Sequence, residues 1–286
     1  TVWVSYNGEI YNYQELRRLL IGKGHTFKTE GDTEVIVHLY EEFQERMPDE
    51  LNGMYALAIW DRRKRRLFLL RDRLGIKPLY YSVHRQVFLF ASEAKSILAY
   101  EGFESRVNAE RIEEYLTFGS IPGEETLFQN IFQLLPGHMI VVEDSSLKSR
   151  RYWDIQFDEI EANTLDSCPE RLDTMLRESV RMELVSDVPV GALLSGGIDS
   201  SLVVHNMARL THPVRTFTAG FPGKEYDESE WAGIVARKLK TQHHEVVVNS
   251  HNFFEALPRL IWHNDEPIAH PSSVPIYFLA RLAKEH

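Results

Sequence analysis

The strongest chemical signal in the chain is the run Ser195-Gly196-Gly197-Ile198-Asp199-Ser200. It follows Val190-Gly191-Ala192-Leu193-Leu194, a short apolar stretch, and precedes Leu202-Val203-Val204 and helical spacing through Leu210. An apolar run closed by a turn signal predicts a buried parallel strand. Hydroxyl and acidic residues just ahead of apolar periodicity predict a helix start. The expected unit is strand, glycine loop, helix. Glycines let a backbone approach a ligand closely, and the first N–H groups of a helix attract an anion. The run therefore predicts a phosphate cradle, with Asp199 placed to hold a metal ion that bridges phosphate oxygens. The plain alternative is a ligand-free turn, and the length of the string in this context weighs against it. No Gly-Lys-Ser/Thr follows, so it is not a Walker loop, and the glycine spacing is not that of a dinucleotide fingerprint.

The elements around this loop alternate. Helices are expected at Leu172–Leu184, Ser200–Leu210, Glu228–Leu239 and Phe253–Trp262, with strands at Val190–Leu194, Val214–Ala219 and Glu245–Val248. That alternation predicts an α/β fold, a doubly wound parallel sheet with helices on both faces. Ligands in such sheets bind beyond the C-terminal strand ends, where the loop lies. The front half reads differently. A strand is expected at Val2–Ser5, a turn at Tyr6-Asn7-Gly8-Glu9, a helix at Tyr11–Leu20 and a strand-like piece from Phe27. Asp32 is expected to cap a helix running through Phe43. Four strand-like runs between residues 54 and 91 predict one antiparallel meander. Helices follow at Glu93–Ala99 and Ala109–Phe118, then a strand at Met139–Val142. The composition turns polar between residues 145 and 170, with Asn163, Asp166 and Pro169, and the domain boundary is expected there, giving domains 1–150 and 151–286.

Length and composition narrow the function. The chain has 286 residues, 43% hydrophobic and 26% charged, ordinary for a globular protein of one or two domains. Its net charge of −10 argues against a nucleic-acid partner. The basic run Arg62-Arg63-Lys64-Arg65-Arg66 is expected to be a solvated hairpin tip. No membrane span is expected, because no apolar stretch is long enough, and no signal peptide is seen. The single cysteine, Cys168, excludes an internal disulfide, fits a reducing, cytoplasmic setting and is expected to be a small buried hydrophobe. His243 and His244 point to opposite faces of a strand and cannot chelate one zinc ion. Both chain ends read as cut, one inside a strand and one inside a helix.

Ser195-Gly196-Gly197-Ile198-Asp199-Ser200 resembles the pyrophosphate loop of the ATP pyrophosphatases, enzymes that split ATP into AMP and pyrophosphate while adenylating a substrate. The front half resembles the glutaminase domain of class II amidotransferases, in Tyr6-Asn7-Gly8-Glu9-Ile10-Tyr11-Asn12, Gly31-Asp32-Thr33-Glu34, Gly53-Met54-Tyr55-Ala56, Arg71-Asp72-Arg73-Leu74-Gly75 and Phe90-Ala91-Ser92-Glu93. Joined in this order across nearly the whole chain, the two halves resemble glutamine-hydrolysing asparagine synthetase and its relatives. That resemblance implies an α+β amidotransferase of layered antiparallel sheets with helices, followed by the parallel-sheet synthetase domain.

It implies an oxyanion hole on Asn7 and Gly8, and the residue chemistry agrees. A side-chain amide and a backbone N–H can converge on a developing oxyanion, against the plain alternative of an Asn-Gly turn. It places Glu9 and Asp32 near the amino and carboxylate groups of glutamine. It places ATP and magnesium on Leu194, Ser195, Gly196, Gly197, Asp199, Ser200 and Ala219. Asp265-Glu266-Pro267 and His270-Pro271-Ser272 resemble the segment that approaches the acyl-adenylate, and Tyr226-Asp227-Glu228-Ser229 reads as a helix start. The implied partners are small molecules: glutamine, ATP and aspartate or another carboxylate, in a protein for which a homodimer is compatible. The sequence departs from the pattern in carrying Thr at position 1, with no cysteine in the first domain. It also lacks the family's arginine for the glutamine carboxylate and its second acidic, glycine-rich loop. Glutaminase activity is therefore not expected from this chain alone. Alternatives within the same fold are amidation of a sugar acid or closure of a lactam ring, and outside catalysis a scaffold descended from a synthetase.

Overall fold

The computed structural model describes residues 1–144, 146–157, 168–223 and 227–286. Asn163, Asp166 and Tyr226 lie outside the described residues. The chain forms two compact units, Thr1–Phe157 and Asp158–His286.

The first unit is built on a five-stranded antiparallel sheet. Strand β1 (Val2–Ile10) forms one edge, followed by β2 (Gly53–Asp61), β3 (Arg66–Arg71), β7 (His138–Glu143) and β8 (Ser146–Arg151). A smaller antiparallel sheet holds β5 (Val87–Ala91), β4 (Tyr80–His84) and β6 (Phe132–Gln133). Side chains of β2 alternate between the two faces of the large sheet. Tyr55, Leu57 and Ile59 pack with α1 (Tyr13–Gly22) and α2 (Asp32–Phe43), against Leu16, Leu20, Val35, Ile36 and Leu39. Ala56 and Ala58 face the other way, against Leu79, Tyr81 and Leu134 of the smaller-sheet layer. The far face of that sheet packs on α3 (Ala94–Leu98) through Ala94 and Ile97. Helices, sheet, sheet and a short helix thus stack in layers.

Four expectations are corrected here. The Asn7-Gly8 pair is not a turn: it continues β1, with Asn7 opposite Ala56 and Gly8 opposite Tyr55. Gly8 has φ +156°, and a Cβ there would lie 2.1 Å from the Met54 carbonyl oxygen, so the ladder itself requires glycine. The meander is divided, with β2 and β3 in the large sheet and β4 and β5 in the small one. No strand forms at Phe27, because the Lys28 and Thr29 N–H groups that a strand would pair instead donate to the Glu34 carboxylate at 2.6–3.0 Å. Asp32 does not cap its helix: Gly31 occupies that position and Asp32 is the first helical residue. The basic run does fall in the β2–β3 hairpin, where Arg65 takes φ +50°.

In the second unit β9 (Gly191–Leu193), β10 (Arg215–Gly220) and β11 (Gln242–Val247) form a parallel sheet with β10 in the centre. On one face Leu194, Val214, Val204, Met207, Ala232 and Ala236 form a core with α5 (Cys168–Glu183), α6 (Ile198–Leu210) and α7 (Ser229–Leu239). On the other, Ala219 and Val248 pack with α8 (Ser250–Asn264) and α9 (Ser273–Glu285) through Ala256, Leu260 and Val274. The expected α/β architecture, antiparallel sheets first and a parallel sheet later, is present. Cys168 is exposed at the first residue of α5, not buried: its helix starts there, clear of the core. Among the described residues no helix is long and apolar enough to cross a membrane.

Candidate functional site

Two regions gather the chemically able residues, one in each unit. In the second, β9 ends at Leu193 and the chain turns through residues 194–197 into α6, with Gly197 at the helix N-cap. The first helical hydrogen bond runs from the Ser201 N–H to the Gly197 carbonyl at 3.0 Å. The N–H groups of Ile198, Asp199 and Ser200 lie ahead of it, have no backbone partner among the described residues and carry the positive end of the helix dipole. Hydroxyls shape the loop. Ser195 Oγ and Ser200 Oγ are 3.0 Å apart, the Gly197 N–H donates to Ser195 Oγ at 3.3 Å, and Ser200 Oγ donates to the Gly197 carbonyl at 3.3 Å.

The two loop glycines do different work. Gly196 has φ +84°, and a Cβ there would lie 2.5 Å from both the Ala232 nitrogen and the Trp231 carbonyl carbon. It is glycine so that the loop can lie against α7. Gly197 has only Ser195 Oγ, at 3.3 Å, near the place of its absent Cβ, and it is exposed. Of the two, only Gly197 leaves its backbone open to a ligand.

Beside the loop, at the C-terminal ends of β9 and β10, lies a cavity of about 490 Å³, within the range of small-molecule sites. Leu194, Ser195, Ser200 and Ala219 line it, as do Thr218, Phe221, Phe253, Ser272 and Ile276. Leu194 is fixed from both sides: its N–H donates to the Phe217 carbonyl at 2.9 Å, and its carbonyl accepts the buried Thr218 hydroxyl. Asp199 does not line the cavity. Its side chain is exposed in the first turn of α6, with no ion-pair partner among the described residues. Of the two segments read as approaching an acyl-adenylate, Pro271 and Ser272 reach the cavity, whereas Asp265 and Glu266 do not. Burial, with Asp265 adding its charge, holds the Glu266 carboxyl above its ordinary range. The Asp227 carboxylate accepts the Ser229 hydroxyl at 2.8 Å and the Ser229 N–H at 3.2 Å, so this segment starts α7, and Glu228 lines the cavity.

Thr218 and Phe221 belong to the stretch Thr216–Phe221, which resembles the family strand that flanks the adenine. Sequence reading singled out neither Phe253 nor Ile276, apolar residues at core-like spacing. His243 and His244 point apart on β11: His243 Nδ1 lies 2.9 Å from Thr216 Oγ1, while His244 stacks on Phe217.

In the first unit Asn7 lines a small cleft of about 130 Å³ with Tyr6, Ala56, Phe90 and Ser92. Its Nδ2 reaches Ser92 Oγ at 3.5 Å, bringing together two motifs 85 residues apart. Asn7 and Glu9 share the exposed face of β1, while Gly8 and Ile10 lie on the other. Asp32 sits at the open edge of the strand, where its Oδ2 accepts the Tyr6 hydroxyl at 2.7 Å and the Ile10 N–H at 3.1 Å. Tyr11 N–H points the opposite way, to Asn52. By the two-residue repeat of the ladder, the Gly8 N–H lies along the same open edge as that of Ile10. Asn7, Gly8, Glu9 and Asp32 thus surround one end of one edge strand.

The Arg71-to-Gly75 motif is structural. Asp72, 1% exposed, accepts the N–H groups of Tyr55, Leu74, Ile76 and Lys77 at 2.9–3.2 Å. The Arg71 guanidinium donates to the carbonyls of Gly75, Lys77 and Leu134. Together they fold the connection from β3 to β4.

Residues 1–153 match the glutamine amidotransferase domain and residues 171–286 match asparagine synthase. Asparagine synthetase (glutamine-hydrolyzing) 1 of Bacillus subtilis is 35% identical over 288 residues, covering all of this chain and 45% of that protein. Asparagine synthetase (glutamine-hydrolyzing) 3 of the same organism is 32% identical over 303 residues, covering all of this chain and 49% of that protein. Amidase chry2 of Gibberella zeae is 29% identical over 283 residues, covering 92% of this chain and 41% of that protein. The chain spans about half the length of these curated relatives. With both domain types matched in order along nearly the whole chain, the chain belongs to the glutamine-hydrolysing asparagine synthetase family.

Proposed function

We propose that this chain is the amidotransferase half and the nucleotide-binding part of an ATP-dependent amide ligase that converts aspartate and glutamine to asparagine and glutamate. The observation that carries the reading is the 490 Å³ cavity opening beside the Ser195–Ser200 loop. Its apolar walls suit a flat base, and the adjacent hydroxyls and unpaired N–H groups suit a phosphate. The ATP residues are Leu194, Ser195, Gly197, Ser200 and Ala219, with Gly196 holding the loop on α7. Asp199 is suited to magnesium, which takes one or two carboxylates together with phosphate oxygens. The ion would neutralise charge on the leaving pyrophosphate, and the loop donors would hold it. The aspartate carboxylate would attack the α-phosphorus as pyrophosphate leaves, and ammonia would then attack the acyl carbon of the acyl-adenylate, releasing AMP and forming the amide.

In the first unit the proposed oxyanion hole is the Asn7 amide and the Gly8 N–H, with Glu9 and Asp32 as carboxylates for the glutamine ammonium. The placement of all four around the open edge of β1 supports this. The test is a chimera in which this chain replaces its matching stretch in the B. subtilis relative. The reading expects asparagine, AMP and glutamate from aspartate, ATP and glutamine. A folded chimera that releases pyrophosphate with a sugar acid but not with aspartate would assign a different acceptor.

A further inference from the structure

We propose that His25, His38 and Glu41 form a binding site for a zinc-class divalent metal ion, in the first unit and apart from the residues assigned above. His25 lies on the connection after α1, and His38 and Glu41 lie on α2. Their side chains converge. His25 Nδ1 is 3.0 Å from His38 Nδ1, His38 Nδ1 is 2.9 Å from Glu41 Oε2, and His25 Nδ1 is 3.6 Å from the same oxygen. A tetrahedral ion with bonds of about 2.0–2.1 Å spaces its ligand atoms roughly 3.3–3.4 Å apart. The observed triangle brackets that spacing, so the ion needs shifts of only a few tenths of an ångström.

Proton accounting points the same way. His25 Nε2 lies 2.9 Å from Glu42 Oε1, so the Nε2 hydrogen belongs on that bond and Nδ1 presents a lone pair. Glu41 also presents lone pairs. His38 Nδ1 faces both. Its other nitrogen, Nε2, is buried without a hydrogen-bond partner and has the Glu34 carboxylate 3.8 Å away. With the hydrogen on Nε2, His38 turns toward Glu34 and three electron-pair donors face one point. A cation shared among them satisfies all three. His25 then has a carboxylate hydrogen-bonded at its distal nitrogen, Glu42, the outer arrangement that orients metal-bound histidines; for His38 the Glu34 carboxylate, at 3.8 Å, is beyond hydrogen-bond distance. Glu41 is partly exposed, with 43% of its side chain open, which leaves a path for the ion and for a water as fourth ligand. The ion would clamp the α1–α2 connection onto α2, the helix that begins at Asp32.

The competing account is a hydrogen-bond network in which His38 Nδ1 carries a proton shared between His25 and Glu41, with no metal. The experiment is titration of the full chain, stripped with chelator, with Zn²⁺ alone and then Co²⁺ alone. Binding is followed by calorimetry and by the visible absorption that cobalt gains in tetrahedral coordination. The expected result is one equivalent of either ion, with affinity at least 100-fold weaker in His25→Gln and His38→Gln. In Glu42→Gln it should be about tenfold weaker, as for other outer-shell changes, with the metal-free melting temperature unchanged. Should a histidine variant fail to fold, long-range ¹⁵N–¹H spectra of the wild-type histidines carry the test: two Nδ1 signals must shift on zinc addition. No stoichiometric binding, zinc affinity unchanged in both histidine variants, or unmoved Nδ1 signals would overturn the proposal and leave the proton-sharing network.

Discussion

The Tyr6 hydroxyl donates to Asp32 Oδ2 at 2.7 Å, tying the first strand to the first turn of the second helix. Burial, reinforced by the Asp32 charge, pushes the Tyr6 phenol above its ordinary range. The folded chain therefore keeps Tyr6 neutral where the unfolded chain ionises it, near pH 10. Its contribution to stability is complete below that pH and falls as pH rises further. Wild type should lose stability faster than Tyr6→Phe above pH 10, by up to about 1.4 kcal/mol per pH unit, less whatever solvent screening removes. Urea midpoints of the two proteins between pH 8 and 11 check this; parallel curves would contradict it.

The two loop glycines should respond differently to a methyl group. Gly196→Ala drives a Cβ into the Ala232 and Trp231 backbone from a positive φ, and should cost about 1–3 kcal/mol. Gly197→Ala meets only a serine hydroxyl at 3.3 Å from φ −66°, and should change stability by about 0.5 kcal/mol or less. Denaturant unfolding of each variant beside the wild type, followed by circular dichroism, separates them.

This contrast marks how far the sequence could be read. Strand, loop and helix around Ser195 were legible because an apolar run, a glycine pair and helical periodicity each announce themselves. What could not be read was which contact each glycine serves, since Gly196 answers to α7, more than 30 residues away. The same limit applied to Asp32, whose position suited a cap but whose carboxylate is taken by Tyr6 and Ile10 from another element. Strand β8, exposed along its whole length, has no apolar alternation to reveal it and exists because β7 offers an edge. The cavity wall from α9 was hidden because Ile276 has the spacing of a core residue. The motifs that hold Asn7 and Ser92 were both visible in the sequence, but the contact between the two residues emerges only from the packing of two sheets.

Asn7 supplies the sharpest separation of the two half-reactions. In the chimera, Asn7→Ala should lower glutamine-driven synthesis by about 10²–10³, the usual cost of one oxyanion donor, while synthesis from free ammonium stays nearly constant. Product ratios at matched folded protein give the answer. Equal loss of both would make Asn7 a structural residue of β1.

Asp199 is exposed and carries no ion pair among the described residues, so its removal should leave folding intact. Asp199→Ala should weaken binding of ATP with magnesium about tenfold, roughly 1.4 kcal/mol, and leave adenosine binding unchanged. Calorimetry with the two ligands distinguishes a metal-holding carboxylate from an ordinary helix-start acid.

The central claim is that the cavity beside the Ser195–Ser200 loop takes a nucleotide with its phosphates on that loop. Saturation-transfer NMR on the chain with ATP and magnesium measures this most directly, because it detects weak as well as tight binding. The account predicts transfer to the adenine protons in wild type, abolished by Ala219→Trp, which fills the cavity, and sharply reduced by Gly197→Asp, which places a negative charge where the phosphates lie. Absence of transfer in wild type, or transfer unchanged in folded Ala219→Trp, would contradict it.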